Sequence, residues 1–250
     1  MKNILIICQA RYGSTRLPGK VLKKIIDKPL LWYVIKRLEL VKTPNKIIIA
    51  TVDTAENKPI MEFARDLGLD WFAGSENDVL DRYYRAAIKF EGDIIVRITS
   101  DCPLTDPAIV DRGIELFLNG DFDYVSNVEP PTYPDGFDVE VFSFEALERT
   151  WKEAKEIAVR EHVTFYIRKS FRNKEGKFMC FNFENKPDYN KYRLTVDTKE
   201  DFKLISIIIK GFQDRWDKFT MNDVIDFIDN NPKLRELNEM YKRDEALKNL

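Results

Sequence analysis

The strongest constraint on the fold of this chain is a rhythm. Short apolar runs at residues 3–8, 46–51, 70–73 and 93–99 alternate with stretches at 29–41, 57–67 and 78–90 whose apolar residues recur at helical spacing. In the first of these stretches Leu30, Leu31, Val34, Leu38 and Val41 share one face. A brief, unbroken apolar run predicts a strand buried on both faces, and a strand followed by an amphipathic helix predicts a β-α-β unit. Repeated units predict an α/β fold with a Rossmann-like, mostly parallel sheet flanked by helices. In such sheets ligands are expected in the loops beyond the strand tips.

After residue 120 the rhythm changes. Strands are predicted at 122–126, 137–142, 177–183 and 192–196, and helices at 144–155, 157–170, 198–210, 220–230 and 233–249. Residues 129–136 (EPPTYPDG) are dense in turn formers. No repeat or low-complexity linker divides the chain, so residues 1–250 read as one domain with a β-rich insert over roughly 127–196. At 250 residues, the chain is long enough for a sizeable core.

The loop after the first strand, residues 9–20 (QARYGSTRLPGK), carries the densest chemistry. Gly13 and Gly19 let the backbone turn and approach a ligand, and exposed N–H groups in such a loop can cradle an anion. Arg11, Arg16 and Lys20 supply cations, and Gln9, Ala10 and Ser14 lie among them. Arg grips phosphate through paired hydrogen bonds, and Lys acts as a point charge. Residues 1–26 contain six Lys or Arg and no acid. A solvated basic loop is the alternative, but it does not explain why the cations gather with Gly, Ser and Pro at a strand tip. The Walker and G-x-G-x-x-G patterns are both absent.

Two carboxylates follow predicted strands: Asp101 after 93–99 and Asp197 after 192–196. Oxygen ligands of this kind suit Mg2+, which keeps waters and shares substrate phosphates, so one or two Asp suffice. Turn or helix-capping roles are the alternatives for both.

Whole-chain counts exclude other chemistries. Forty Lys and Arg stand against 42 Asp and Glu, a net charge of -2, which argues against a nucleic-acid binder. One His and three Cys without a C-x-x-C pair exclude zinc ribbons and disulfide frameworks. An odd Cys count and the lack of a signal-peptide pattern predict a cytoplasmic protein, and no apolar run reaches the ~18–20 residues of a membrane span.

The stretch 10–20 closely resembles the nucleotide-binding loop of the cytidylyltransferases that activate acidic sugars, the 3-deoxy-manno-octulosonate and acylneuraminate enzymes. With 74–82 (GSENDVLDR), 97–104 (RITSDCPL), 133–140 (YPDGFDVE), 160–163 (REHV) and 193–197 (RLTVD), the pattern is closest to the SpsF-type branch of spore-coat polysaccharide biosynthesis. The resemblance implies a nucleotidyltransferase fold, a catalytic Mg2+ on Asp101 and Asp197, and transfer of CMP from CTP with release of pyrophosphate. It implies nucleotide contacts from the first loop and from Ser75, Arg82, Arg97 and Thr99. It also implies a homodimer built through the insert.

For the acceptor, charge suggests Asp135, Asp138 and Glu140 toward an amine or hydroxyls, and Arg160 and His162 toward a carboxylate or phosphate. His162 could equally be structural, or a general base given its reference pKa near ~6.5. The acceptor is expected to be an acidic sugar or a phosphorylated small molecule. A transferase using another NTP such as UTP, and a non-catalytic nucleotide-binding module, are the competing readings. A mere binder has no need of both Asp101 and Asp197.

Overall fold

The computed structural model describes residues 2–44 and 46–243. Strand β1 (Ile4–Gln9) opens the chain, and a two-residue hairpin, β2 (Lys24–Ile25) and β3 (Lys28–Pro29), leads into α1 (Leu30–Leu38). Then come β4 (Lys46–Val52), α2 (Lys58–Asp66), β5 (Asp70–Gly74), α3 (Val79–Lys89), β6 (Ile94–Thr99) and α4 (Pro107–Asn119). The second half holds β7 (Tyr124–Ser126), β8 (Glu140–Ser143), α5 (Phe144–Glu153), α6 (Ile157–Glu161), α7 (Phe165–Arg172), β9 (Cys180–Asn182), α8 (Lys199–Gly211) and α9 (Met221–Asp229).

Seven strands form one sheet in the order β5-β4-β1-β6-β8-β7-β9. Strands β5, β4, β1 and β6 are parallel, β8 runs antiparallel to both its neighbours, and β7 pairs parallel with β9. Alternate residues of each strand feed opposite faces. In β1, Ile4, Ile6 and Cys8 join the core under α1, α4, α8 and α9, whereas Leu5 and Ile7 join the core under α3, α5 and α7. A register slip of one residue would exchange the two sets, so the apolar run specifies its own pairing. Gln9, Arg97 and Thr99 continue the second series at the strand tips.

Local signals explain most helix starts. Asp78 caps α3 by accepting from the Asp81 N–H at 2.8 Å, and Ser143 caps α5 by accepting from Ala146 N–H at 3.0 Å. Thr198 and Asp201 close a capping box at the start of α8.

Several expected elements differ. Residues 192–196 run as irregular chain, bridged to Asp135 at Arg193 rather than laid into the sheet. Leu194 and Val196 alternate inward as a strand would, but their N–H groups bond the loop carbonyls of Asp135 and Asp101. The long helix predicted over 157–170 is broken into α6 and α7, with Val163 at a φ of 51° between them. Helix α4 has no counterpart among the predicted elements. The helix predicted over 233–249 is replaced by a short 3-10 turn, Pro232–Leu237, and its last six residues lie outside the described residues. The stretch 127–196 contributes β8 and β9 to the main sheet and carries α5, α6 and α7. No described helix is long and apolar enough to cross a membrane.

Candidate active site

The strand order places the cleft. From β1 the chain moves outward on one side through β4 and β5, then crosses to the other side of β1 to add β6. Successive connections therefore part company between β1 and β6, and a crevice opens beyond their C-terminal ends. Gln9 pairs with Thr99 at those ends, so the loops that follow both strands face one cleft. Its walls include Gln9, Ala10, Arg11, Ser14, Arg16, Lys20, Arg82, Arg97, Thr99, Asp101, His162 and Asp197.

The first loop is held in shape by its own residues. Gly19 turns at a φ of +65°, its N–H bonds the Tyr12 carbonyl at 3.0 Å, and a Cβ there would meet the Tyr12 ring at 3.1 Å. The Tyr12 N–H is in turn anchored on Asn57 Oδ1 at 2.9 Å. Gly19 leads into a 3-10 turn, Lys20–Leu22, which buries Lys20 and Val21.

Lys20 is the centre of the arrangement. Its Nζ donates to Asp101 Oδ2 at 2.8 Å, to Asp197 Oδ1 at 2.9 Å and to the Val196 carbonyl at 2.8 Å. An ammonium has three donors, and all three are used. Burial alone would lower the Lys20 pKa, but the charges of Asp101 and Asp197 and their hydrogen bonds raise it. Burial works in the opposite direction at Asp101, where it would raise the carboxyl. The Lys20 charge, with hydrogen bonds from Lys20 and Thr99, overrides it and holds Asp101 down at about 2. Both groups are therefore charged at neutral pH.

Asp197 reaches this point through main-chain bonds. The Val196 N–H bonds the Asp101 carbonyl at 2.9 Å, which fixes the two acidic residues side by side. The Asp197 Oδ2 also accepts from Arg16 Nη2 and from Arg193 Nη2, each at 3.1 Å. Thr198, not Asp197, caps α8.

The opposite wall is cationic. Arg82 is 2% exposed, and its Nη1 donates to the Ser75 carbonyl at 3.2 Å. Burial lowers its pKa, and the neighbouring Arg11 charge adds to that. Arg97 pairs with Glu140, its register partner across β6 and β8. Among the described residues, Gln9 Oε1, Arg82 Nε and Arg97 Nε are buried without a hydrogen-bond partner. Three orphaned polar atoms on one cleft are unusual in a finished interior.

Six sequence candidates lie outside the cleft lining. Gly13 sits with Glu56 and Glu76 nearby, and Ser75 accepts from the Asp78 N–H through its hydroxyl. Asp135 is bound by Arg193 at 3.2 Å, and Asp138 by Arg243. Glu140 is buried beneath the cleft, where Arg97, Tyr124 and Thr164 donate to it. Arg160 donates to Asp78 Oδ2 and to the Trp151 and Ala154 carbonyls, each at 2.8 Å. The chain's own structure thus occupies four of the five groups that charge suggested for an acceptor, and the fifth, His162, lines the cleft.

The cleft also contains Thr15, Val21, Val79, Ser100 and Glu161, each adjacent to or within a recognised motif. Arg193 and Asp201 were not among the candidates as single residues. The capping-box spacing from Thr198 to Asp201 was the signal available for the second.

Among the described residues no group of three or more His, Cys, Asp or Glu could hold a metal ion by itself. The donor set still suits a magnesium ion that takes its other ligands from phosphates and water. Two carboxylates converge on one cation, and the cation now between them is the Lys20 ammonium.

The mostly parallel seven-strand sheet flanked by helices, with its cleft at the switch point, is the fold of the nucleotide-diphospho-sugar transferases, to which solved nucleotidyltransferases belong. A solved CMP:2-keto-3-deoxy-manno-octonic acid synthetase, complexed with CTP, shares the fold at a TM-score of 0.62 and 18% identity, over 84% of this chain and 99% of that one. A cytidylyltransferase from Leptospira borgpetersenii superposes at a TM-score of 0.88 with 34% identity, over 94% of this chain and 97% of that one. The spore coat polysaccharide biosynthesis protein SpsF of Bacillus subtilis is 32% identical over 241 residues, 93% of this chain and 96% of its own. The cytidylyltransferase family profile matches residues 5–243, and the chain belongs to that family. It is a CTP-dependent nucleotidyltransferase.

Proposed function

We propose that the protein transfers CMP from CTP to an anionic small-molecule acceptor, releasing pyrophosphate, in the synthesis of surface-polysaccharide precursors. The acceptor is an acidic sugar, giving a CMP-sugar, or a phosphorylated small molecule, giving a CDP-linked product. The observation that carries the reading is Lys20, bound to Asp101 and Asp197 at once on the wall of a cleft that Arg11 and Arg16 also line.

In this reading an acceptor oxygen, either a phosphate oxyanion or a sugar hydroxyl that gives up its proton to solvent water, attacks the α-phosphorus in line. The new P–O bond forms as the bond to the β-phosphate bridging oxygen breaks, and pyrophosphate leaves with that electron pair. Arg11, Arg16 and Lys20 offset the charge that develops on the leaving group. Asp101 and Asp197 would hold Mg2+, which supplies charge neutralisation at the α-phosphate when bound. Most of the rate then comes from positioning and fixed charge.

Gln9, Ala10, Gly13 and Ser14 shape the nucleotide side with Ser75, Arg82, Arg97 and Thr99. With Arg82 and Arg97 on the nucleotide side, His162 is the cleft-lining group that favours an anionic acceptor. Asp135, Asp138 and Glu140 are all engaged by arginines, which removes the basis for an amine-bearing acceptor. The working unit is a cytoplasmic homodimer. Exposed Met179 and Phe181, on and beside the edge strand β9, support an interface through residues 127–196.

The test is a pyrophosphate-release assay with CTP over a panel of acidic sugars and small phosphorylated metabolites. Release should depend on one acceptor class and vanish in Asp101→Asn. Equal release by that variant would remove Asp101 from the reaction.

A further inference from the structure

Asp197 is held by two guanidinium groups of different character. Arg16 is on the first loop with its side chain 47% exposed, whereas the Arg193 side chain is 9% exposed. Arg193 also forks onto Asp201, Nε to Oδ1 at 3.0 Å and Nη2 to Oδ2 at 3.0 Å. Asp201 is fully buried, and its Oδ2 accepts from the Asp197 and Thr198 N–H groups, each at 3.0 Å. Behind them Asn238, 3% exposed, donates through Nδ2 to Asp201 Oδ1 at 2.8 Å and to the Arg193 carbonyl at 3.0 Å. Asp135 closes the set on Arg193 Nη1.

We propose that Arg193 and Asp201, backed by Asn238, are positioning residues that keep the Asp197 carboxylate turned into the cleft when Arg16 leaves it for the triphosphate. The inference rests on the reading of the cleft given above, in which Arg16 binds phosphate and Asp197 holds a divalent cation. Its physical basis is redundancy. One oxygen of Asp197 has an exposed partner and a buried one, and a ligand that draws off the first leaves the second in place. The buried partner is fixed from both sides, by a two-point fork on Asp201 and by its own carbonyl on Asn238. A carboxylate that keeps its orientation without Arg16 needs no reorganisation when the substrate arrives. Asn238 thereby becomes part of the site's support, although it lies outside the cleft lining.

The experiment uses the full chain and Mn2+ as the probe, followed by electron paramagnetic resonance with a non-hydrolysable CTP analogue, alongside calorimetry of the analogue without metal. Arg193→Lys keeps the charge and loses the fork. It should weaken Mn2+ in the ternary complex ~10–100-fold, the range for residues that orient metal ligands, while metal-free analogue binding changes less than about twofold. Asp201→Asn should behave in the same way and serves if Arg193→Lys does not fold. Unchanged Mn2+ affinity in both variants would overturn the inference, as would equal losses of Mn2+ and of metal-free analogue, which mark a phosphate contact or a general lesion. Asp197→Asn separates the two levels. If it binds Mn2+ as the wild type does, the reading of the cleft fails and the inference with it. If it loses Mn2+ while Arg193→Lys and Asp201→Asn keep it, the inference alone fails.

Discussion

Replacing Lys20 by Met tests the electrostatic logic of the cleft. The change removes an ammonium that makes three hydrogen bonds and leaves a side chain of similar length. Removing one member of a buried ion pair costs ~3–5 kcal/mol. Here the Asp101 and Asp197 side chains keep 24% and 23% exposure, and Arg16 and Arg193 still hold Asp197, so the expected loss at pH 7 is about 2–3 kcal/mol. For a chain of this size that lowers Tm by roughly 4–12 °C. The pH dependence follows from the sign of each shift. In the wild type the Asp101 pKa is depressed to about 2, so its contribution is complete above its ordinary value near 4 and is lost as pH falls toward 2. That contribution is roughly 2 kcal/mol, from just under two pKa units. Without the ammonium, the depression that Lys20 supplies is gone, so the variant lacks this contribution at pH 7 and the difference closes on acidification. The Lys20 shift is upward, and its contribution persists until pH approaches its ordinary value near 10.5. Urea unfolding of both proteins, followed by tryptophan fluorescence, should therefore show a constant gap from pH 5 to 9 that closes below pH 4. A gap under ~0.5 kcal/mol at pH 7, or one of equal size at pH 3, would refute the reasoning.

Three further outcomes follow from the same structure. Arg16→Ala should raise the Kd for CTP ~10-fold or more and that for CMP less than twofold, measured by calorimetry, if Arg16 binds the β- and γ-phosphates as proposed. Glu140→Gln should cost ~2–4 kcal/mol in urea unfolding, since it neutralises the buried partner of Arg97, yet change CTP affinity less than about threefold. Gly136→Ala should destabilise by more than ~1 kcal/mol and depress turnover, because φ is +106° and the new Cβ would lie 2.6 Å from the Leu194 carbonyl on the segment that carries Asp197.

The parallel half of the fold was readable because each strand is a local apolar run. Strands β1, β4, β5 and β6 all fall where such runs predict them. Helix α4 was missed although Asp106 and Pro107 form an N-cap and first-turn pair at its start. Residues 192–196 misled for a physical reason: inward alternation of Leu194 and Val196 reports burial, and burial does not say whether the backbone pairs with a strand or with loops. That the cations of the first loop and the acids at 101 and 197 line one cleft was legible because each sits just past a predicted strand. The acceptor groups were not, since an isolated charge says nothing of its partner. Glu140 finds Arg97, Asp135 finds Arg193, Arg160 finds Asp78 and Asp138 finds Arg243, across separations of 43 to 105 residues. The same distance hid Asn238, 37 residues from Asp201.

The central claim is that the cleft between β1 and β6 takes CTP in particular. Calorimetric titration of the wild-type protein with each of CTP and UTP, in the presence of Mg2+, tests it directly. The account predicts that CTP binds at least ~10-fold more tightly, a difference of about 1.4 kcal/mol. Equal affinities, or a preference for UTP, would contradict it.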